Sequence, residues 1–186
     1  MPDVRHPPHR LPTVVVDLVP RRFAPEDAEA LTLLLNSAYR DLQDRGLNFT
    51  AATQDVSTTR ARVNEGACWV IEHEGAVAAS LTMSVPPPAD VRALTAVARK
   101  PAMGWIGQIA VGPELRGRGV AKVLFDAACV WARASGVTSV GLDTAVPAEH
   151  LAAMYARWGF VPIEVIHFEG KAYDSVVMMV ELDPVR

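Results

Sequence analysis

The residues with the most chemical content lie between Trp105 and Trp131, in the stretch WIGQIAVGPELRGRGVAKVLFDAACVW. An apolar strand pattern (Ile106, Ile109, Val111) enters the turn pair Gly112-Pro113, and Arg116-Gly117-Arg118-Gly119 then delivers the chain to a helix start. Apolar residues recur at 120, 123, 124, 127, 128 and 131, the i, i+3, i+4, i+7 rhythm of one buried helix face. Glycines at a helix mouth leave backbone N–H groups unobstructed, and the first N–H groups of any helix have no partner inside it. Together with the positive end of the helix dipole they form a seat for a phosphate or pyrophosphate. Tyr155 shares a helical stripe with Leu151, Met154 and Trp158, and on residue type alone it reads equally as a plain core tyrosine.

Three phosphate-binding patterns compete for the glycine segment. A Walker loop needs Lys and a hydroxyl after its last glycine; Gly112 to Gly117 has the spacing, but Arg118-Gly119 follows it, which argues against nucleoside triphosphate hydrolysis. A dinucleotide fingerprint needs a third glycine where Lys122 stands. The third pattern, [QR]-x-x-G-x-[GA], is met in full by Arg116-Gly117-Arg118-Gly119-Val120-Ala121, after an I-A-V-G-P-E strand end. This hexapeptide resembles the acetyl-CoA site of the GNAT superfamily of N-acetyltransferases. A second match follows in the family's order: Met154-Tyr155-Ala-Arg-Trp-Gly159-Phe160 is similar to its [LM]-Y-x-x-x-G-F signature. The resemblance covers residues 66 to 182 well and the N-terminal third in outline.

The resemblance implies an acetyl-CoA-dependent N-acetyltransferase acting by direct attack of an amine, with acetyl-CoA as co-substrate and no metal. Amides from Gly117 and Gly119 to Val120 and Ala121 would hold the pyrophosphate, and Arg116 and Arg118 would add charge or remain solvated. The backbone of Ile109, Ala110 and Val111 would pair with the pantetheine arm as an added strand. Tyr155 would protonate the departing thiolate. An amine of pKa about 10.4 must lose a proton before it attacks. Glu72, Glu74, Asp143, His150, Glu164, His167 or a water chain are all open as the base. Where the family often has an asparagine seven residues before the tyrosine, this chain has Ala148, so that contact is lost or passes to Asp143 or Thr144. The acceptor pocket is expected around Tyr39, Asn48 and Phe49 and the segment Pro86 to Met103, whose Arg92, Arg99 and Lys100 favour an anionic molecule bearing an amine, or a peptide N-terminus, over a polyamine. A non-catalytic acyl-CoA-binding sensor or partner module is the alternative on the same fold, and a structural domain without a ligand is the blandest.

These groups need elements to hold them. Residues 1–12, rich in Pro, His and Arg, read as a flexible tail, and 13–186 as a single domain. Thr13 to Val19 is the first expected strand. Pro25-Glu26-Asp27 opens a helix with the face Leu31, Leu34, Leu35, Ala38 and Leu42, ending near Gly46, and a second helix runs from about Gln54 to Asn64. Strands at 68–73 and 76–85 flank the hairpin signal Glu74-Gly75. A long connection from Pro86 to Met103 carries a short helix within 90–99. Strands at 137–143, 160–167 and 175–182 complete the order β-α-α-β-β-(loop)-β-α-β-α-β-β. That order is the GNAT fold: an α/β (α+β) domain with a mixed, mostly antiparallel sheet of about seven strands flanked by about four helices.

Composition narrows the class. The chain has 186 residues, 50% of them hydrophobic, enough to bury one sizeable core. A net charge of −3 with mixed signs gives no nucleic-acid-binding face. Cys68 and Cys129 lack metal-ligand spacing and read as buried small hydrophobes. No apolar run reaches the roughly 20 residues of a membrane helix, and Pro12 and Asp17 interrupt the only candidate for a leader. The expected partners are therefore acetyl-CoA and an amine acceptor, with no nucleic acid and no membrane, in the cytoplasm. A homodimer is the oligomer to test first, since two-fold dimers are the commonest.

Overall fold

Residues 18–183 are described by a computed structural model. Their elements are β1 (Arg21–Arg22), α1 (Ala28–Asp44), α2 (Val56–Val63), β2 (Gly66–His73), β3 (Ala76–Ser84), α3 (Ala89–Leu94), β4 (Met103–Val111), α4 (Val120–Ala134), β5 (Ser139–Ala145), α5 (Glu149–Ala156), β6 (Val161–Ile166) and β7 (Ser175–Glu181). The strands form one seven-stranded sheet in the order β1-β2-β3-β4-β5-β7-β6. Every neighbouring pair is antiparallel except β4 and β5. This is the mixed, mostly antiparallel sheet that the sequence led us to expect.

Alternation along β2 sorts the core into two layers. Cys68 and Val70 face α1 and α2, packing with Leu31, Leu35, Val63 and Ala110. Trp69 and Ile71 face α4, packing with Leu81, Met83, Leu124 and Ala128. The β2–β3 turn works because Glu74 and Gly75 both take positive φ, 53° and 79°, as a tight hairpin requires. The α2 start is capped by Asp55, whose carboxylate accepts the Thr58 N–H at 2.7 Å. Both cysteines are buried and free. Among the described residues no helix is long and apolar enough to cross a membrane.

Three expectations shift. The first strand was expected over 13–19; residues 1–17, and with them the expected tail, lie outside the described residues, and Leu18 and Val19 are not in a strand. Pro20 has no N–H for a ladder, so pairing starts after it, at Arg21 and Arg22 opposite Val70 and Trp69. The fifth strand starts at Ser139 rather than Val137, because the Val137 N–H still closes the end of α4 on Ala132 O at 2.9 Å. On α4 the buried stripe includes Phe125, Cys129 and Ala132, whereas Val123 is 37% exposed. The helix is rotated toward α5, and Phe125 stacks on Trp158 with ring centroids 5.2 Å apart.

Candidate active site

The mouth of α4 is built by a backbone that only glycine adopts easily. After β4, a short 3-10 turn (Pro113–Leu115) drives Leu115 fully into the core and Arg116 leaves it extended. Gly117 and Gly119 then take φ of +74° and +77°, a region that costs other residues about 1–2 kcal/mol. A Cβ at either position would meet nothing within 4 Å. The two glycines therefore serve the backbone path, and they leave empty space above it. Among the described residues no acceptor pairs with the N–H groups of Gly117, Gly119, Val120 or Ala121. Four unpaired donors thus lie on residues that line a cleft of about 840 Å³ at the start of a fifteen-residue helix.

Arg116 sits in the wall of that cleft, but its guanidinium is tied to α1: it donates to Val111 O at 3.3 Å, Asp41 Oδ2 at 3.4 Å and Ala38 O at 3.5 Å. Arg118 is exposed and its side chain is not part of the cleft. Ile109 and Val111 line the cleft, while the Ala110 side chain is buried on the α1 side.

The cleft exists because β4 and β5 part. They pair only at Met103, Gly104 and Trp105, opposite Ser139, Val140 and Gly141. At Gln108 the φ is +50° and the β3–β4 register slips by a residue, a bulge that bends β4. From Ile106 to Val111 the β4 edge that faced β5 has no strand neighbour, which is the condition for adding an extended peptide-like arm there.

A second cavity of about 540 Å³ opens on the other side of this split. Tyr39, Ile109 and Tyr155 line both cavities and mark where they meet. Burial pushes the Tyr155 phenol well above its ordinary pKa, with Tyr39 and Asp143 adding to the effect, so it keeps its proton at neutral pH. Burial also pushes Tyr39 up, to about 12. Asp143 projects from β5 into the second cavity and accepts a hydrogen bond from Trp105 Nε1 at 3.1 Å. The Trp105 ring lies against Gly141, where any Cβ would collide with it, so Gly141 is what lets the indole reach Asp143. Burial raises the Asp143 carboxyl above its usual range, against the Trp105 hydrogen bond that lowers it. A wall of aromatic rings runs Tyr39–Phe49–Tyr173, with centroids 5.4 and 5.0 Å apart. Arg62 and Lys171 supply positive charge.

The profile of the acetyltransferase (GNAT) family matches residues 29–160. The chain belongs to this family. Over 60 residues, 32% of the chain, it is 35% identical to S-(2-succino)cysteine N-acetyltransferase of Bacillus subtilis (strain 168). The match spans 36% of that relative, about a third of its length. A GNAT-family acetyltransferase from Listeria monocytogenes 4b F2365 shares the fold at a TM-score of 0.68 and 23% identity, covering 89% of this chain and 95% of that one. The yncA structure of Salmonella typhimurium, solved with its cofactor acetyl-CoA, superposes at 0.66 and 17% identity, covering 91% and 96%. The family's acetyl-CoA fits what is built here: unpaired amides over open glycines suit a pyrophosphate, and a free strand edge suits the amides of pantetheine.

For a GNAT chain, the remaining sequence candidates fall unevenly. Of the six proposed bases only Asp143 and His150 line the cavities, His150 on the helix-mouth side. Glu72 is held by Arg21 at 2.5 Å, Glu74 sits in the hairpin turn, Glu164 is bonded to Thr95, and His167 pairs with Asp174 at 2.9 Å on the surface. Ala148 is completely buried and packs with Leu42, Leu47 and Tyr173 instead of facing the cleft. Tyr39 and Phe49 line the second cavity as expected. Asn48 instead clamps the loop after β6, donating to Gly170 O and accepting from Ala172 N, both at 2.9 Å. The expected basic residues of the long connection turn away from the cavity: Arg92 bonds to Pro87 O, Arg99 to Arg92 O and Lys100 to Met179 Sδ. Sequence reasoning missed Arg62, Gln108, Lys171 and Tyr173. Only Gln108 left a trace, as an amide inside an otherwise apolar strand.

Proposed function

We propose that this chain is an acetyl-CoA-dependent N-acetyltransferase that acetylates a primary amine of a small molecule or peptide by direct attack. The observation that carries the reading is Tyr155 at the meeting point of two cavities, one floored by the helix mouth and the other holding a half-buried carboxylate. The N-acetyltransferase name of the Bacillus subtilis relative supports an amine acceptor.

Bound acetyl-CoA would supply an acetyl thioester, already activated for transfer. Gly117, Gly119, Val120 and Ala121 would hold its diphosphate through main-chain N–H groups, a contact that leaves their side chains uninvolved. The free edge around Ile109, Ala110 and Val111 would fix the arm so that the thioester reaches Tyr155. Arg116, already engaged by Asp41, would lend charge from the wall, and Arg118 from the solvent side.

Asp143 takes the proton. Burial raises its pKa, which makes its carboxylate a stronger base than an ordinary one. The amine nitrogen bonds to the acetyl carbon as the carbon–sulfur bond breaks. Tyr155 gives its phenolic proton to the leaving sulfur, and proton exchange with water resets both groups. A thiol of pKa about 8.5 is a fair leaving group, so Tyr155 contributes a modest factor.

Isothermal titration with CoA followed by thiol release with an amine panel tests this reading. We expect heat of binding and amine-dependent thiol. Absence of CoA binding would remove the cofactor assignment, and binding without turnover of any amine would leave an acyl-CoA-binding module.

A further inference from the structure

The second cavity holds more charge than acetyl transfer to a bare amine requires. Arg62 and Lys171 are both half-buried in its wall, and among the described residues neither has a carboxylate within 4.0 Å. Among the described residues their polar partners are neutral. Arg62 Nη1 donates to Gln54 Oε1 at 3.0 Å, and Lys171 Nζ to Asn48 O at 2.8 Å and Thr50 Oγ1 at 3.0 Å. Arg62 is moreover aimed by a buried relay: Gln54 Nε2 donates to Thr59 Oγ1 at 2.7 Å, and Thr59 is bonded to Thr32 at 2.7 Å. A half-buried cation without a counter-charge is costly, and two facing one cavity repel each other. Burial first and the Arg62 charge second hold the Lys171 pKa below its ordinary value, against the Asp143 carboxylate, which raises it.

An independent sign points the same way. Gln108, 4% exposed and in the wall of the same cavity, accepts from Thr82 Oγ1 at 3.2 Å through Oε1, while its Nε2 has no acceptor among the described residues. The cavity therefore offers two cations and an unused amide donor, all suited to an oxygen anion. Of the acids in its lining, Glu65 and Asp90 are exposed at the rim, Asp90 being engaged by the Val91 N–H at 2.8 Å, and Asp143, which accepts from Trp105 Nε1 at 3.1 Å, is one carboxylate against two cations.

We propose that the acceptor is an amino-carboxylate with an apolar or aromatic body, its carboxylate received by Arg62 and Lys171 and its amine turned toward Asp143. The body packs against Tyr39, Phe49 and Tyr173. Gln54 and Asn48 are positioning residues, the first for Arg62 and the second for the loop that carries Lys171. The assignment rests on the N-acetyltransferase reading above.

The test sets free amino acids, each against its own amide and its decarboxylated amine, with spermine as a polycation, in thiol release with acetyl-CoA. We expect at least one apolar amino acid to exceed its amide by about tenfold or more in kcat/KM, the size of one charge-assisted contact. Arg62→Met and Lys171→Met should each raise KM for that acid by about tenfold, leave kcat within about threefold and leave the amide's KM unchanged, with Lys171→Arg recovering most of the loss. CoA titration of the same variants reports their folding. Turnover that favours amides or spermine, or an acid-to-amide ratio unmoved in both variants, would overturn the amino-carboxylate while leaving the transferase intact. Loss of CoA binding in the unmodified protein, or no thiol with any amine, would overturn both.

Discussion

In the proposed reaction Tyr155 and Asp143 divide the proton work between them, and each assignment has its own readout. Tyr155→Phe removes a hydroxyl from a residue packed edge-on against Trp158 and Phe160, at centroid distances of 5.5 and 6.1 Å, so the ring keeps its place. We expect kcat to fall at least about tenfold with little change in the acetyl-CoA KM, measured by steady-state thiol release. An unaltered kcat would take Tyr155 out of the chemistry. Asp143 has a raised carboxyl pKa, so kcat/KM should fall on acidification at a pH above the ordinary carboxylate value of about 3.9. Asp143→Asn should remove that limb along with most activity. The same shift has a stability consequence of opposite sign. A carboxyl whose pKa is raised on folding costs stability once pH exceeds its unfolded value. Asp143→Asn, which can still accept from Trp105, should therefore melt higher at pH 7 and show no advantage near pH 3. A melting temperature that drops at pH 7 would contradict the burial argument.

In the proposed reading the helix mouth works through its backbone amides, and the loop after β6 through the side chain it holds in place. Gly119→Ala would place a methyl group in the empty space above the mouth while forcing φ of +77° on an L-residue. We expect about 1–2 kcal/mol of destabilisation from the backbone alone. We also expect CoA affinity to weaken by more than about tenfold, because the methyl group enters the ligand's space. Equal CoA affinity in calorimetry would argue against a diphosphate on those amides. The loop after β6 is fixed at its far end by Asn48, whose amide satisfies Gly170 O and Ala172 N together. Asn48→Ala should loosen Lys171 and raise the acceptor KM several-fold, leaving the acetyl-CoA KM in place. Much of this architecture was legible beforehand. The α4 mouth announces itself in Arg116 to Ala121, while the gap beside β4 depends on a bulge at Gln108 that no local pattern encodes.

For the molecule as a whole, the sheet splits between β4 and β5, and the two halves are closed by residues distant in sequence. At one edge Arg21 bridges Asp27 at 2.7 Å and Glu72 at 2.5 Å, joining β1, the entry to α1 and β2. The Arg21 hydrogen bond is the main reason the Asp27 pKa is lowered, with the Ala24 N–H adding to it. A carboxyl depressed on folding contributes stability above its unfolded pKa and loses it as pH falls through the folded one. Asp27→Asn should thus lower the melting temperature at pH 7, with the difference from the parent protein narrowing as pH falls below the ordinary carboxylate value of about 3.9, in scans by circular dichroism. A constant difference across pH would mean that packing, not charge, is what Asp27 supplies. Sequence alone determined what is local. Helix periodicity, the Glu74-Gly75 hairpin, the glycine mouth and the order of the elements each depend on neighbours within a few residues, so propensity and spacing reveal them. Only the tertiary structure decided the second cavity. Arg62, Gln108, Asp143 and Lys171 come from α2, β4, β5 and the loop after β6, and they share a cavity beside the point where β4 and β5 part. The same geometry singled out Asp143 among the carboxylates, since desolvation and a hydrogen bond from Trp105 are properties of a folded surrounding that residue type cannot carry.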